Sequence, residues 1–177
     1  DGLQQAIADC NLVIATSALS RSMPWPELSP EQMAQKIWRL SDQSKVALVF
    51  GPEHSGLSNQ ELQHCHYSVS IPANPEFSSL NVASAIQVLC YEIYRMAEKG
   101  SESQTLETSE PLTTSADLEG YFAHLEQVLV TTSFLDTGNP RLLMQRLRRL
   151  YQRFDLSKTE VNILRGILSS VEKYKSS

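Results

Sequence analysis

The feature that most restricts the fold of this chain is a short apolar run at residues 46–50, which stops at Gly51 and Pro52. A run of this length without polar alternation is typical of a strand that is covered on both faces. Residues 11–15 form a second such run, and residues 67–71 alternate as a strand does before Pro72. The sequence therefore predicts a largely buried sheet.

Helical patterns fill the segments between these strands. Residues 31–40 follow a Ser29 cap and Pro30, and a long helix over residues 80–97 follows Ser78 and Ser79, which are suitable capping residues. Shorter helical segments are predicted at residues 3–8 and 61–64. Because strands alternate with helices, we expect an α/β fold with a parallel sheet.

The long helix carries few polar residues. Ser84, Gln87, Tyr91 and Arg95 form one narrow stripe, and nearly all the other positions are apolar. A helix of this composition is covered on more than one side. One side is expected to face the sheet, and the other predicts a homodimer through residues 80–97.

Charge divides the chain into three parts. Residues 101–117 contain four acidic and no basic residues, whereas residues 118–177 contain nine basic and six acidic residues. We therefore predict a core domain over residues 1–99, an acidic flexible linker over residues 100–117 and a small all-helical domain over residues 118–177. Three helices are expected in the last part: residues 117–130, a helix that starts at Asn139-Pro140, and one opened by a capping box of Ser157 and Glu160.

Composition and cysteine spacing exclude several classes of protein. The chain is 41% hydrophobic and 20% charged, as globular proteins are, and it has no apolar run of the ~20 residues that a membrane span needs. Cys10, Cys65 and Cys90 are widely spaced, which predicts buried thiols in a reducing cytosol rather than disulfides. His64 and His66 flank Cys65, but adjacent side chains point in different directions, so no metal site is expected.

Three loops follow the predicted strands, at the sheet edge where open α/β folds bind ligands. They span residues 15–18, 51–57 and 71–81, and their small residues allow a ligand to approach the backbone closely. Ser78, Ser79 and Asn81 lie at a helix N-terminus, which suits an anionic or carbonyl-bearing ligand. The alternative is that the glycines only shape turns and the serines only cap the helix. The glycines match neither the dinucleotide-binding fingerprint nor the P-loop, in which Lys would replace Leu57.

Two of these loops resemble motifs of a known family. VALVFGPEHSGLSN over residues 46–59 resembles the second motif of the SpoU/TrmH branch of the SPOUT RNA methyltransferases, and Ile71-Pro72 with SSLNVASA over residues 78–85 resembles the third. The resemblance extends through residues 16–18, 23–26, 65–67 and 162–168, and therefore covers nearly the whole chain. It is closest to the tRNA methyltransferases of that branch.

The resemblance implies fold, activity and site residues together. It implies a SPOUT-type trefoil-knotted parallel sheet, a dimer, and methyl transfer from S-adenosylmethionine to a ribose 2′-hydroxyl at position 32 of the tRNA anticodon loop. Glu53, Ser79 and Asn81 match the polar positions of the catalytic pocket. The implied cofactor-binding residues are Thr16, Ser17, Ala18, Gly51, Gly56, Ile71, Ser78, Ser79 and Leu80.

The sequence departs from the family at its first motif, an Asn followed by a catalytic Arg after the first strand. Arg21 follows the first loop here but does not match that motif. The motif would need at least one further strand–helix–strand unit, so residues 1–177 alone are expected to be inactive. Two other functions stay open: a non-catalytic RNA-binding protein of the same fold, and an α/β nucleotide-binding oxidoreductase, which the absent glycine fingerprint disfavours.

Basic residues in the middle helix of the predicted all-helical domain indicate an RNA contact. Arg141, Arg148 and Arg149 share one predicted face with Gln145 and Gln152, opposite a set of leucines. Given the family resemblance, we expect this face to contact tRNA phosphates. The alternative is an ordinary solvated helix face.

Overall fold

A parallel four-stranded sheet forms the centre of the N-terminal half of the protein. The computed structural model describes residues 2–17, 25–40, 43–74, 80–100, 110–138 and 142–175. Within these residues the strands lie in the order β2-β4-β1-β3, and every neighbouring pair is parallel. The strands are β1 (Leu12–Thr16), β2 (Glu27–Leu28), β3 (Val46–Val49) and β4 (Tyr67–Val69).

Helices cover both faces of this sheet, which explains why β1 and β3 are almost entirely apolar. Along β1, Leu12 and Ile14 pack on one face with Met33 and Leu89, whereas Val13 and Ala15 pack on the other face. The helices of this half are α1 (Leu3–Ala6), α2 (Pro30–Trp38), α3 (Asn59–Leu62) and α4 (Val82–Gly100). The prediction of an α/β fold with a parallel sheet is therefore confirmed.

Helix caps explain where α2 and α4 begin. The Ser29 hydroxyl accepts a hydrogen bond from the Gln32 N–H, and the Gln32 side chain accepts one from the Ser29 N–H, which completes a capping box. Helix α4 begins at Val82 rather than at residue 80, because Asn81 accepts a hydrogen bond from the Ala83 N–H at 2.8 Å.

The C-terminal half forms a small helical domain with its own core. Its helices are α5 (Ser115–Thr131), α6 (Leu143–Gln152) and α7 (Lys158–Lys175). Tyr121, Phe122, Leu125, Val161 and Leu168 are buried between them. The predicted capping box at the start of α7 is present, with hydrogen bonds between Ser157 and Glu160 in both directions. We call the three helices α5–α7 the tail.

The predicted linker overlaps ordered structure at both ends. Gly100 belongs to α4, and α5 begins at Ser115 because the Thr114 side chain caps it. Leu112 accepts a hydrogen bond from the Asn11 side chain at 2.7 Å, and the Ser115 N–H donates to the Cys10 carbonyl at 2.8 Å. The boundaries 100–117 were therefore too wide, and the remainder, residues 101–109, lies outside the described residues.

The predictions of buried cysteines and of a trefoil knot have different outcomes. Cys10 and Cys65 are buried as predicted, but Cys90 is exposed on α4, because the apolar residues of that helix extend onto a face that no described residue covers. The trefoil knot that the family resemblance implies stays a prediction, and residues 75–79 of the third loop lie outside the described residues. Among the described residues, no helix is both long and apolar enough to cross a membrane.

Candidate functional site

A cavity of about 240 Å³ opens at the carboxyl ends of β1, β3 and β4. This is the sheet edge at which the sequence predicts a ligand. Backbone-exposing loops form one wall of the cavity, and aliphatic side chains from β4 and the start of α4 form the other. Its lining comprises Thr16, Ser17, Phe50, Gly51, Pro52, Glu53, His54, Ser55, Gly56, Leu57, Leu62, Val69, Ile71, Leu80, Val82 and Ala85.

The end of β1 is tied to both neighbouring strands at the floor of the cavity. The Thr16 hydroxyl donates a hydrogen bond to the Val49 carbonyl at 3.1 Å, and the Ser17 N–H donates to the Val69 carbonyl at 3.1 Å. These bonds hold the three strand ends together. The loops that continue from them therefore surround one space.

The loop after β3 folds back on itself so tightly that Gly51 has no room for a side chain. A Cβ on Gly51 would lie 2.3 Å from the Gly56 carbonyl carbon and from the Leu57 nitrogen. Gly56 has a φ of 61°, in the left-handed region that glycine adopts most readily, and its N–H donates to the Pro52 carbonyl at 2.8 Å. Both glycines are therefore required by the backbone path that forms the cavity wall.

Glu53 and Asn81 join the second and third loops at the cavity. The Asn81 side-chain amide donates to Glu53 Oε1 at 3.0 Å, while Asn81 Oδ1 accepts from the Ala83 N–H. The helix cap fixes the rotamer of Asn81, and Asn81 in turn orients the carboxylate. Both side chains are exposed to solvent. The pair presents a carboxylate and an amide to any ligand that enters the cavity.

Most of the residues predicted from the sequence meet at this one place. Thr16, Ser17, Gly51, Glu53, Gly56, Ile71 and Leu80 line the cavity, and Asn81 is bonded to Glu53. Ala18, Ser78, Ser79 and Arg141 lie outside the described residues. The sequence analysis missed Phe50, Val69 and Val82 as lining residues. Their positions directly beside the loops were the available signal, but apolar residues there are also expected in a core.

Comparison with known proteins agrees with this arrangement. Residues 1–91 match the SpoU rRNA Methylase family, and residues 116–177 match the C-terminal domain of the tRNA methyltransferase TrmJ. The tRNA (cytidine/uridine-2'-O-)-methyltransferase TrmJ of Escherichia coli (strain K12) is 48% identical over 178 residues, which cover 98% of this chain and 71% of the relative. The chain belongs to the TrmJ group of the SpoU methylase family.

Two solved structures are similar to nearly the whole of this chain. TrmJ from Z. mobilis ZM4 is 32% identical, with a TM-score of 0.79 over 97% of this chain and 71% of that one. A probable methylase family protein from Haemophilus influenzae Rd KW20 is 38% identical, with a TM-score of 0.55 over 99% and 72% of the two chains. The similarity therefore includes the tail as well as the sheet.

In this TrmJ-group chain, Arg148 has a different environment from the one predicted. Its guanidinium forms a bidentate ion pair with Glu119 of α5, with one N–O distance of 2.7 Å, and lies 4.5 Å from the centre of the Phe122 ring. Its side chain is only 16% exposed. Gln152, predicted on the same exposed face, is buried and donates to the Gln63 carbonyl at 3.0 Å. An RNA contact by Arg148 stays a prediction, and it would have to use the guanidinium N–H groups that do not bond to Glu119.

The charged neighbours of Glu119 shift the pKa of its carboxyl. Burial raises the pKa of its carboxyl, but hydrogen bonds with His64 and Arg148 and their charges outweigh burial and lower the pKa to about 2. Glu119 is therefore ionised across the physiological range. From α5 it contacts both Arg148 of α6 and His64, which follows α3.

Three other arginines form a basic surface on the outside of α6. Arg146 and Arg153 are exposed and Arg149 is half-buried, and their spacing of three and four residues places them in one row. We call these three residues the arginine stripe. Of the predicted RNA contacts that the structure describes, Arg149 belongs to this stripe and Arg148 does not.

The side chains of the His64-Cys65-His66 segment have separate partners. His64 contacts Glu119, Cys65 Sγ lies 3.5 Å from the Glu61 carbonyl, and His66 Nδ1 accepts the Val13 N–H at 2.9 Å. Burial raises the pKa of the Cys65 thiol to about 12, so it stays protonated. Within the described ranges, no three His, Cys, Asp or Glu residues form a group that could hold a metal.

Proposed function

We propose that this protein transfers a methyl group from S-adenosylmethionine to the ribose 2′-hydroxyl of a cytidine or uridine in tRNA. The observation that carries the proposal is the cavity at the strand ends, built from both recognised motifs and carrying the Glu53–Asn81 pair. The 48% identity to TrmJ, whose name specifies cytidine and uridine as targets, supports the substrate. Position 32 of the anticodon loop is the nucleotide that the family resemblance favours.

The residues of the cavity fit the cofactor. The tight turn that Gly51 and Gly56 allow places the loop backbone along one wall of the cavity, where a ligand can approach it. Ile71 and Leu80 supply an apolar wall for a flat adenine ring. Thr16, Ser17, Gly51, Gly56, Ile71 and Leu80 would therefore hold the cofactor, and the motif adds Ala18, Ser78 and Ser79 to this set.

The protein residues orient the acceptor ribose. S-adenosylmethionine supplies a methyl group that is already activated, so the main requirement is alignment of the acceptor hydroxyl. Asn81 holds Glu53 through Oε1, and Glu53 Oε2 is then directed to accept a hydrogen bond from a ribose hydroxyl. We assign Glu53 and Asn81, with Ser79 from the motif, to orienting the nucleotide.

The two halves of the chain have separate tasks in this proposal. Residues 1–99 form the methyltransferase core, and residues 118–177 extend it with a tRNA-binding domain. The arginine stripe supplies positive charge for tRNA phosphates, as Arg149 was predicted to do, and Arg141 stays a predicted RNA contact. An enzyme that modifies tRNA in this way acts in the cytoplasm.

The outer face of α4 supports a dimer. Ile86, Tyr91 and Tyr94 are 42%, 56% and 59% exposed, which is unusual for three large side chains on one helix. The predicted homodimer through residues 80–97 would bury them. We propose this face as the interface between two copies.

Mapping of 2′-O-methylation in tRNA tests the proposed function. The protein at its natural length is incubated with S-adenosylmethionine and unmodified tRNA transcripts, and modified positions are read by mass spectrometry of nuclease fragments. We expect one methylated cytidine or uridine in the anticodon loop. A Glu53→Gln variant should lower kcat by about 10-fold or more because it loses the charge that orients the hydroxyl.

The control is Glu31→Gln, which removes an exposed carboxylate at the start of α2, away from the cavity. It should methylate tRNA at the wild-type rate. Tight tRNA binding without methylation by the wild-type protein would instead favour the non-catalytic RNA-binding alternative.

A further inference from the structure

The tail is attached to the core domain by two polar clusters. In the Glu119 cluster, the Glu119 carboxylate binds Arg148 of α6, and its Oε1 lies 3.1 Å from Nδ1 of His64, which follows α3. In the Asp155 cluster, Asp155 Oδ2 lies 2.6 Å from Nζ of Lys36 in α2, and Oδ1 accepts from the Tyr67 hydroxyl at 3.2 Å. Each cluster therefore joins the tail to the core domain through charged or polar side chains.

The Glu119 cluster is protected from water more than an ordinary surface ion pair is, whereas Asp155 is 45% exposed. The side chains of Arg148, Glu119 and His64 are 16%, 18% and 25% exposed. Between the two clusters, the buried Gln152 amide donates to the Gln63 carbonyl. Ion pairs with little exposure are screened less by salt, and their geometry is more restrictive.

Helix α6 carries Arg148 and Gln152 as well as the arginine stripe. At about 3.6 residues per turn, Arg148 and Gln152 share the face of α6 that turns to the core domain. The arginine stripe lies roughly a third of the way around the helix from that face. The rotation of α6 about its axis therefore determines where Arg146, Arg149 and Arg153 stand relative to the cavity.

We infer that Glu119 is a positioning residue for methyl transfer. By holding Arg148 of α6 and His64 of the core domain together, it sets the orientation in which the arginine stripe presents tRNA to the cavity. The inference rests on the proposed function. The Asp155 cluster acts in the same way at the other end of α6.

The inference predicts a separation between tRNA affinity and turnover. A tail that rotates still offers Arg146, Arg149 and Arg153 to phosphates, so tRNA binding persists. The target ribose, however, no longer stands in line with the methyl donor, and misplacement of this kind costs about 10-fold or more in rate. A role of Glu119 only in holding the tail helices together would instead weaken binding and turnover equally.

The test compares Glu119→Gln with Glu126→Gln in the protein at its natural length. Both substitutions remove a carboxylate from α5, but Glu126 is exposed and two helical turns away. tRNA dissociation constants are measured by filter binding and kcat by methylation at saturating S-adenosylmethionine. For Glu119→Gln we expect kcat to fall by about 10-fold while Kd changes by less than about 2-fold. Glu126→Gln should leave both values unchanged.

Further variants separate positioning from a general loss of structure. Arg148→Gln should reproduce the effect of Glu119→Gln, and the double variant should be no worse than either alone. Asp155→Asn, in the Asp155 cluster, should also lower kcat more than it raises Kd. This variant replaces Glu119→Gln in the test if Glu119→Gln does not fold. Unchanged kcat in Glu119→Gln, or parallel losses in kcat and affinity, would overturn the inference. Absence of methylation by the wild-type protein would reject the proposed function itself.

Discussion

His66 shows how a single buried side chain makes stability depend on pH. It is 8% exposed, and its Nδ1 accepts the Val13 N–H, so the folded protein requires the neutral ring. Burial lowers the pKa of His66 to about 4, although the nearby carboxylates of Asp155 and Glu119 oppose the shift. The imidazole is therefore a structural acceptor between β1 and the segment that leads into β4, rather than a ligand or a base.

From this shift we predict a loss of stability in mild acid. An unfolded His binds a proton below about pH 6.5, whereas His66 in the folded state does so only near pH 4. The free energy of unfolding should therefore fall between these two values, by on the order of 3 kcal/mol. Urea unfolding at pH 7, 6, 5 and 4 measures this fall.

The matched pair for this prediction is His66→Asn and His54→Asn. In His66→Asn the new amide side chain would keep an acceptor for the Val13 N–H without titrating, so the variant should lose most of the dependence between pH 6.5 and 4.5. Protonation of Glu119 lowers stability only below about pH 4.5, between the pKa of an unfolded glutamate and the folded value of about 2. His54 is exposed, so His54→Asn should keep the wild-type dependence. Equal slopes in wild type and His66→Asn would contradict the prediction.

Single residues of the cavity were predictable where the local backbone conformation allows only a particular residue type. Gly51, Gly56 and Asn81 were identified from the motifs, and the structure explains each by a close approach, a positive φ or a helix cap. Arg148 could not be assigned in this way. A helical pattern shows which residues share a face, but the partner of that face, here Glu119 from another helix, is a tertiary contact.

At the scale of elements, the helices followed from periodicity because each buries an apolar face, and β1 and β3 followed from continuous apolar runs because the sheet is covered on both faces. Strand β2 was missed, since Pro24 and Pro26 precede a two-residue strand and proline is normally excluded from central strands. Its position next to β4 at the edge of the sheet explains why proline is tolerated nearby. The start of α5 was missed by two residues, because the Thr114 cap lies inside a stretch that is otherwise typical of a linker.

The arginine stripe of α6 leads to a prediction about RNA affinity. Replacement of Arg146, Arg149 and Arg153 by Gln should weaken tRNA binding, because each arginine that neutralises a phosphate releases counterions. The slope of log affinity against log salt should decrease in magnitude by about 2 to 3, as expected at about 0.7 to 0.9 per phosphate contact. Filter-binding titrations over a range of salt concentrations measure this slope.

Arg165→Gln is the control for the stripe, since it removes an exposed arginine from α7 instead of α6. It should change the slope by less than any single substitution within the stripe. The same slope in the triple variant and the wild type would show that α6 does not contact phosphates. The triple variant should raise the Kd for tRNA, whereas Glu119→Gln should leave it nearly unchanged, which distinguishes the two variants.

At the scale of the whole molecule, the order of the strands and the attachment of the tail were not predictable from local patterns. Strand order β2-β4-β1-β3 depends on pairings between residues far apart in sequence, such as Leu12 with Val46 and Ile14 with Tyr67. The tail contacts likewise join residues such as Lys36 and Asp155, which charge and composition assign to separate domains. The division into domains stays a prediction, and contacts such as that between Lys36 and Asp155 join the two parts in addition to the linker.

The exposed face of α4 gives the last prediction. A charge placed at Ile86 should prevent the proposed dimer, because a carboxylate buried against a second copy of Ile86, Tyr91 and Tyr94 loses its hydration without gaining a partner. Since Ile86 is 42% exposed in the single chain, Ile86→Glu should fold normally. Sedimentation velocity should show a dimer for the wild type and a monomer for Ile86→Glu.

The control is Ile163→Glu, because Ile163 is also a large exposed apolar residue, 59% exposed, but lies on α7 of the tail. Both substitutions add the same charge to the surface, so a general effect of charge would dissociate both variants. If α4 is the interface, only Ile86→Glu becomes monomeric. Dissociation of Ile163→Glu with an intact Ile86→Glu dimer would move the interface to the tail, and the proposal for α4 would be wrong.

Because the cavity is also lined by Leu80, Val82 and Ala85 at the start of α4, loss of the dimer should also lower the affinity for S-adenosylmethionine.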